Sequence, residues 1–257
     1  MQIQPPYGFE EVVALTKTHR VLLPKGRALP SIFHGMNPMP VSYAEIPVAS
    51  RDYPIVFIGA AHSGSYSPML VLGLEARQNL FLQPDQTWGP GIYLPAYVRR
   101  YPFCMTRITV DGKEAAERVA CVEKRALADH GDALFDESGK PLAEWEQRQK
   151  LLFEFEADLA RTEEMCKLLA HHDLFEPFAM QAVPNAGQPL QLTGMFRIAE
   201  AKLHALPADA LKDLAQKGVL ARVYAHLFAL DNFQRLLARR HAAAAAGIAP
   251  TDKKKLN

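Results

Sequence analysis

The sequence predicts an α+β fold in which an antiparallel or mixed sheet from the N-terminal half is packed by helices from the C-terminal half. Proline and glycine recur between Pro38 and Pro102, so no long helix can cross that region. A helical period of apolar residues begins only after the turn Asp136–Gly139. Strands that precede helices, instead of alternating with them, argue against a doubly wound parallel sheet.

The strands of the first half are predicted from short apolar runs between these breaks. Three runs are continuously apolar and have the length of a buried strand, namely Pro54–Ile58, Met69–Leu72 and Asn79–Leu82. A looser alternation predicts a strand over Phe103–Val110 and a shorter one over Arg118–Val122. The sequence therefore places the sheet before residue 130.

The helices of the second half are predicted from apolar spacing. No glycine or proline interrupts Leu142–Ala170, where one face carries an apolar residue at every seventh position (Trp145, Leu152, Leu159 and Cys166). After the apolar stretch Leu190–Ile198, Pro207 suits the first turn of a helix that ends before Gly218. A last helix is predicted from Val219 to about Arg240.

The domain organisation predicted from this order is one domain over residues 1–240, followed by an alanine- and lysine-rich tail over 241–257. A turn region near Gly131–Lys140 is the one place where two lobes could separate. The sequence shows no internal repeat.

Composition excludes several classes of protein. The chain has 257 residues, of which 49% are hydrophobic and 22% charged, so disorder is not expected. A net charge of +1 lacks the basic surplus that nucleic-acid binding requires. No apolar window approaches the roughly 20 residues of a membrane helix, and three scattered cysteines do not suggest a disulfide framework. We expect a cytoplasmic protein that does not insert into membranes.

The candidate metal ligands are Glu200 and His204. Glu200 and His204 have the i, i+4 spacing that puts both side chains on one helix face, which fits either a metal site or a simple helical pair. His171 and His172 are adjacent, point about 100° apart and do not easily share an ion. A third ligand could come from His62 or His226 only by assumption. No cofactor is predicted; iron or zinc would be the metal if this pair binds one.

The best candidate binding site is the segment from Trp88 to Phe103, which combines aromatic rings with guanidinium groups. Such residues are enriched at binding hot spots, and arginine can hold a carboxylate bidentately. The predicted ligand-binding residues are Trp88, Tyr93, Tyr97, Arg99, Arg100 and Tyr101. The alternative is that the rings fill a core and that the arginines pair with Asp52 or Glu75.

In these residues the chain resembles the SapC family. The resemblance extends from about Val41 to Leu237 and is carried by Tyr53–Phe57, Leu72–Leu74, Asn79–Phe81, Trp88, Tyr93–Phe103, Gly194–Ile198, Glu200, Gly218–Leu220 and Tyr224–Phe228. Ala199 stands where family members commonly carry aspartate. The resemblance implies a part in S-layer protein transport and a link to TonB-dependent receptors, halogenase-like and cupin-like proteins. It implies no catalytic residues.

These observations favour a cytoplasmic accessory protein that recognises a peptide or protein partner through the segment Trp88–Phe103. Two alternatives stay open. One is a metal-dependent enzyme, similar to non-haem iron oxygenases, or a subunit of one. The other is a peripheral component of S-layer protein secretion. The sequence indicates no oligomeric state.

Overall fold

The computed structural model describes residues 2–60, 64–110, 113–183 and 189–245. The chain divides into two compact units. The first unit contains Met1–Phe33 and Ala96–Ala157, and the second contains His34–Pro95 and Asp158–Asn257. Each unit is thus assembled from segments that are distant in sequence. The predicted single domain over 1–240 stays a prediction.

Strands and helices alternate irregularly along the described residues. The strands are β1 (Gln2–Ile3), β2 (Val12–Ala14), β3 (Arg20–Val21), β4 (Met39–Pro40), β5 (Ile55–Ala60), β6 (Ser65–Leu70), β7 (Phe103–Val110), β8 (Lys113–Glu123), β9 (Asp132–Ala133), β10 (Phe175–Ala182) and β11 (Leu190–Ile198). The helices are α1 (Ile46–Ala49), α2 (Ala96–Arg99), α3 (Ala143–His171), α4 (Glu200–His204), α5 (Ala208–Gln216), α6 (Val219–Ala229) and α7 (Asn232–Ala245).

The first unit is built on a four-stranded sheet with the order β1-β7-β8-β2, in which every pairing is antiparallel. Strands β3 and β9 form a separate antiparallel pair. Its core is a cluster of buried apolar side chains, namely Val21, Phe103, Val122, Ala126, Leu134, Trp145 and Leu152. Trp145 and Leu152 belong to the first half of α3, so the seven-residue apolar period packs this half of the helix into the core.

The second unit is built on a five-stranded antiparallel sheet with the order β10-β11-β5-β6-β4. Its first two strands come from the C-terminal half of the chain and the other three from the N-terminal half. Helices α1 and α6 pack together, and α6 also contacts β5 and β11. The predicted α+β class with antiparallel sheets and C-terminal helices is confirmed, and the C-terminal half adds two strands to it.

Several element predictions are confirmed closely. Strand β7 has the predicted bounds, α3 is displaced by one residue at each end, and the predicted strand Arg118–Val122 lies inside β8. No described helix has the length and apolar character needed to span a membrane. The predicted tail begins inside α7, which ends at Ala245, and its residues 246–257 lie outside the described part of the chain.

Two element predictions are wrong for identifiable reasons. Asn79–Leu82 forms no strand, because the Asn79 side chain accepts a hydrogen bond from the Phe81 backbone N–H at 3.0 Å and so favours a turn. The last helix is broken between Ala229 and Asn232 into α6 and α7. At this break the buried Asn232 amide donates to the carbonyls of Ser50, at 2.7 Å, and Tyr53, at 3.0 Å, which fixes the start of α7.

Candidate functional site

Trp88, the first predicted ligand-binding residue, is tied to a buried tyrosine of the second unit. Its indole Nε1–H donates to the Tyr53 hydroxyl at 2.8 Å, and that hydroxyl donates to the Tyr93 carbonyl. The Trp88 ring also stacks on Phe81, with the ring centroids 6.0 Å apart. Burial raises the pKa of Tyr53, so its hydroxyl keeps the proton that it donates. The half-buried indole therefore anchors the loop that follows residue 81.

Tyr93 is held by two carboxylates of the same unit. Its backbone N–H donates to Asp52 Oδ2 at 3.0 Å, and its hydroxyl donates to Glu45 Oε1 at 3.0 Å. Glu45 is buried, and its other oxygen accepts from the Ser42 hydroxyl at 2.8 Å. Asp52 and Tyr93 thus fasten the loop to the end of α1.

We expect the bond between Trp88 and Tyr53 to be measurable as a coupling energy. Trp88→Phe removes the indole N–H and should lower the free energy of unfolding by about 1–2 kcal/mol. Tyr53→Phe removes the same bond from the other side, so the double variant should lose less than the sum, with a coupling of about 1 kcal/mol. Urea unfolding of the four proteins measures it; strictly additive losses would contradict the bond.

Tyr97, Arg100 and Tyr101 lie in the first unit and pack into it. Arg100 is only 3% exposed. Its guanidinium carbon lies 4.1 Å from the ring centroid of Tyr97, 4.9 Å from that of Phe155 and 5.3 Å from that of Phe9. Tyr101 is buried with its ring 5.8 Å from Phe9. We call the set Phe9, Tyr97, Arg100 and Phe155 the aromatic cage.

The two adjacent arginines of the predicted site therefore differ. Arg99, at the end of α2, is exposed, whereas Arg100 points into the aromatic cage. Asp52 and Glu75, the acids considered as arginine partners, have other contacts: Tyr93 binds Asp52, and Arg240 pairs with Glu75 at 2.9 Å. The structure thus brings Trp88 and Tyr93 together around Tyr53 in the second unit, and Tyr97, Arg100 and Tyr101 together with Phe9 in the first.

The candidate metal ligands Glu200 and His204 are not joined by a third ligand among the described residues. Glu200 and His204 lie on α4 with Oε1 and Nε2 3.8 Å apart, and both are exposed. Among the described residues no group of three or more histidine, cysteine, aspartate or glutamate side chains could hold a metal ion. His62, one assumed third ligand, lies outside the described residues. The pair by itself fits a simple helical contact.

His226, the other assumed ligand, uses both ring nitrogens inside the fold. Nε2 accepts from the Ile198 backbone N–H at 3.1 Å, so Nδ1 carries the proton and donates to the Ile55 carbonyl at 2.9 Å. The ring is fully buried, and desolvation lowers its pKa to about 4. His226 is thus a neutral link between α6 and strands β5 and β11.

A groove that the sequence did not predict lies around Tyr43 in the second unit. It has a volume of about 580 Å³ and is lined by the second half of α3, the turn between α5 and α6, and Tyr43. The lining residues are Tyr43, Arg161, Glu164, Met165, Lys167, Leu168, Lys217 and Val219. We call it the Tyr43 groove.

Tyr43 is fixed firmly in this groove. Its backbone N–H donates to Thr162 Oγ1 at 2.8 Å, and its hydroxyl donates to the Lys217 carbonyl at 2.8 Å. Two guanidinium groups lie near its ring, Arg222 at 4.1 Å and Arg161 at 4.9 Å from the centroid. Gly218 has a φ of +69°, and a Cβ there would lie 2.8 Å from the Tyr43 hydroxyl, so glycine is required at this turn.

The rim of the Tyr43 groove is cationic, while its floor is apolar. Met165 and Val219 are buried, whereas Lys167 and Lys217 are exposed. Each rim cation has a nearby acid outside the lining, the pairs being Arg161–Asp158, Lys167–Glu163 and Lys217–Asp213. The pairs of Lys167 and Lys217 are exposed and contribute less than about 1 kcal/mol each, whereas Asp158, the partner of Arg161, is partly buried. The arrangement can hold an apolar group against the floor and a negatively charged group at the rim.

Sequence reasoning missed this groove because its walls are distant in the chain. The cations of α3 follow the ordinary polar face of an amphipathic helix, and Tyr43 stands in a short loop. The one available signal was Gly218–Leu220, which the resemblance had singled out.

Comparison with models of protein families identifies the family of the chain. The family model described as SapC matches residues 16–236, which include most of both units. No curated protein and no solved structure matches the chain significantly.

Proposed function

Since the chain belongs to the SapC family, we propose that it is an accessory protein that binds a peptide segment of a protein partner in the Tyr43 groove. The proposed setting is the cytoplasm. The observation that carries this proposal is the combination of an apolar floor, a fixed aromatic ring and a cationic rim in one groove.

The size and shape of the groove support a peptide side chain as its occupant. Ligand pockets typically enclose about 300–1,000 Å³ and are largely apolar, with a few polar groups that set orientation. Met165, Leu168 and Val219 supply the apolar surface, and the Tyr43 ring is already immobilised by its hydrogen bonds. A leucine or phenylalanine side chain would bury its surface here against groups that need no reordering.

The charges at the rim select the residues that flank this side chain. Among the described lining residues Arg161, Lys167 and Lys217 are cationic, and Glu164 is the one carboxylate. Complementary charge raises both the association rate and the discrimination against wrong partners. We therefore expect the bound segment to carry aspartate or glutamate on either side of an apolar residue.

The test uses two labelled peptides and fluorescence anisotropy. One peptide carries leucine and phenylalanine flanked by glutamates, and the other has lysine at every glutamate position. The wild-type protein should bind the acidic peptide, and Arg161→Glu with Lys167→Glu should weaken it at least about tenfold. Binding should also weaken as salt is raised, because the rim is exposed.

A matched control lies on the same helix. Lys150→Glu reverses one cation of α3 outside the groove, as each substitution of the double variant does within it, and should leave the affinity unchanged. Equal binding of both peptides, no binding of the acidic peptide, or an unchanged affinity in the double variant would contradict the proposal. The contact surface predicted at residues 88–103 is tested in the same assay by Arg99→Ala, which removes an exposed cation of that segment. An unchanged affinity for the acidic peptide would contradict a role of Arg99 in binding it.

A further inference from the structure

Two of the three cysteines lie directly opposite each other in the first unit. Cys104 of β7 and Cys121 of β8 are Cα partners in the antiparallel register, between the pairs Phe103–Val122 and Met105–Ala120. Residues that face each other in this way project from the same side of the sheet. Both side chains are fully buried and carry free thiols. Cys166 belongs to the other unit.

The spacing of this pair suits a disulfide. Directly opposed residues of an antiparallel pair have their Cα atoms about 4.5–5.5 Å apart. Disulfide-bonded cysteines usually have Cα atoms about 4.4–6.8 Å apart, so the Cα spacing of this pair is within the range of a disulfide. The spacing of the cysteines along the chain does not indicate this pair, because Cys104 and Cys121 meet only through the register of β7 and β8.

The folded protein protects the pair from reaction. Strands β7 and β8 are the two central strands of their sheet, with β1 and β2 on their outer sides. Burial raises the pKa of Cys104 to about 12 and that of Cys121 to about 11, which leaves little thiolate at neutral pH. A small oxidant therefore reaches these sulfurs mainly while the hairpin is still open.

We infer that Cys104 and Cys121 are a latent disulfide pair. Whether the cross-strand bond forms is set while the chain folds, and burial then preserves the oxidised or reduced state. With a small-molecule disulfide as the oxidant, one cysteine thiolate attacks it, forms a mixed disulfide and releases one thiolate. The second cysteine thiolate attacks the mixed disulfide, closes the Cys104–Cys121 bond and releases the other. The two cysteines lose two electrons in total, and the two released thiolates take up the two protons.

The experiment refolds the full chain from denaturant in oxidised or reduced glutathione. After alkylation in denaturant, mass spectrometry should count one alkylated cysteine in the oxidised sample and three in the reduced one. Proteolysis without a reducing agent should release the Cys104 and Cys121 peptides joined by a disulfide. Reduced protein that is already folded should keep three free thiols in oxidised glutathione at least about tenfold longer than the unfolded chain.

Three controls keep the result unambiguous. Cys166→Ser should form the same cross-link, whereas Cys104→Ser and Cys121→Ser should not. If refolding is inefficient, folded protein in urea below its unfolding midpoint provides the same readout as the hairpin opens. A cross-link that includes Cys166, three free thiols after oxidative refolding, or equally fast oxidation of the folded protein would overturn the inference.

Discussion

Replacement of His226 by alanine should lower the free energy of unfolding by about 3–5 kcal/mol at pH 7. The imidazole joins α6 to two strands through the Ile198 N–H and the Ile55 carbonyl, both inside the second unit. Alanine would leave both backbone groups without their side-chain partner and would open a cavity beside Phe57, whose ring lies 5.0 Å from the imidazole. Urea unfolding followed by circular dichroism measures the loss.

The same histidine should make the protein sensitive to acid. Its pKa is lowered to about 4 in the folded state, against an ordinary value of 6.5, so the unfolded chain binds the proton more readily. The neutral ring therefore contributes fully to the free energy of unfolding above pH 6.5, and this contribution is lost as the pH falls from 6.5 to 4. A shift of this size corresponds to about 3 kcal/mol. Unfolding curves at pH 7, 5.5 and 4.5 should show this decline, and the alanine variant should lack the His226 part of it.

His204→Ala is the matched control for both measurements. This histidine is exposed on α4, so its removal should change the free energy of unfolding by less than about 0.5 kcal/mol and leave the pH dependence as in the wild-type protein. A stable His226→Ala protein, or one with the full acid sensitivity of the wild type, would show that the buried imidazole is not the link between α6 and the sheet.

The fold class could be predicted because the positions of proline and glycine and the spacing of apolar residues are local properties of the sequence. Strand β7 and helix α3 were predicted closely, since each is an unbroken pattern between turn residues. Strand β10 was not recognised, because Glu176 and Pro177 interrupt its apolar pattern. It lies at an edge of its sheet, where proline is tolerated because one side of the strand has no ladder to support.

The candidate sites show where local reasoning ends. Residue types identified Trp88 and Arg100 as unusual, but burial decides what such residues do, and burial depends on segments far away in the chain. The rings of Phe9 and Phe155 pack against Arg100, and the Tyr53 hydroxyl accepts a hydrogen bond from Trp88. The Tyr43 groove and the Cys104–Cys121 pair likewise depend on which distant residues meet. No pattern within a short window contains that information.

Arg100→Ala should lower the free energy of unfolding by about 3 kcal/mol, whereas Arg99→Ala should change it by less than about 0.5 kcal/mol. The two residues are adjacent and identical in type, yet Arg100 is 3% exposed and Arg99 is exposed. Alanine at position 100 would leave a void among Phe9, Tyr97 and Phe155 and remove the attraction between the guanidinium and these rings. Urea unfolding of both variants measures the difference.

Arg100→Met separates the packing of this side chain from its charge. Among the described residues Arg100 Nε has no hydrogen-bond partner, so part of the buried cation is poorly compensated. Methionine fills a similar volume without that penalty. The Glu156 carboxylate interacts electrostatically with both Arg118 and Arg100, and its direct contact with Arg118 stays when Arg100 is replaced. We therefore expect Arg100→Met to lie within about 1 kcal/mol of the wild type. If Arg100→Met is as unstable as Arg100→Ala, the charge itself holds the aromatic cage together; if Arg100→Ala is as stable as Arg99→Ala, the cage contributes nothing.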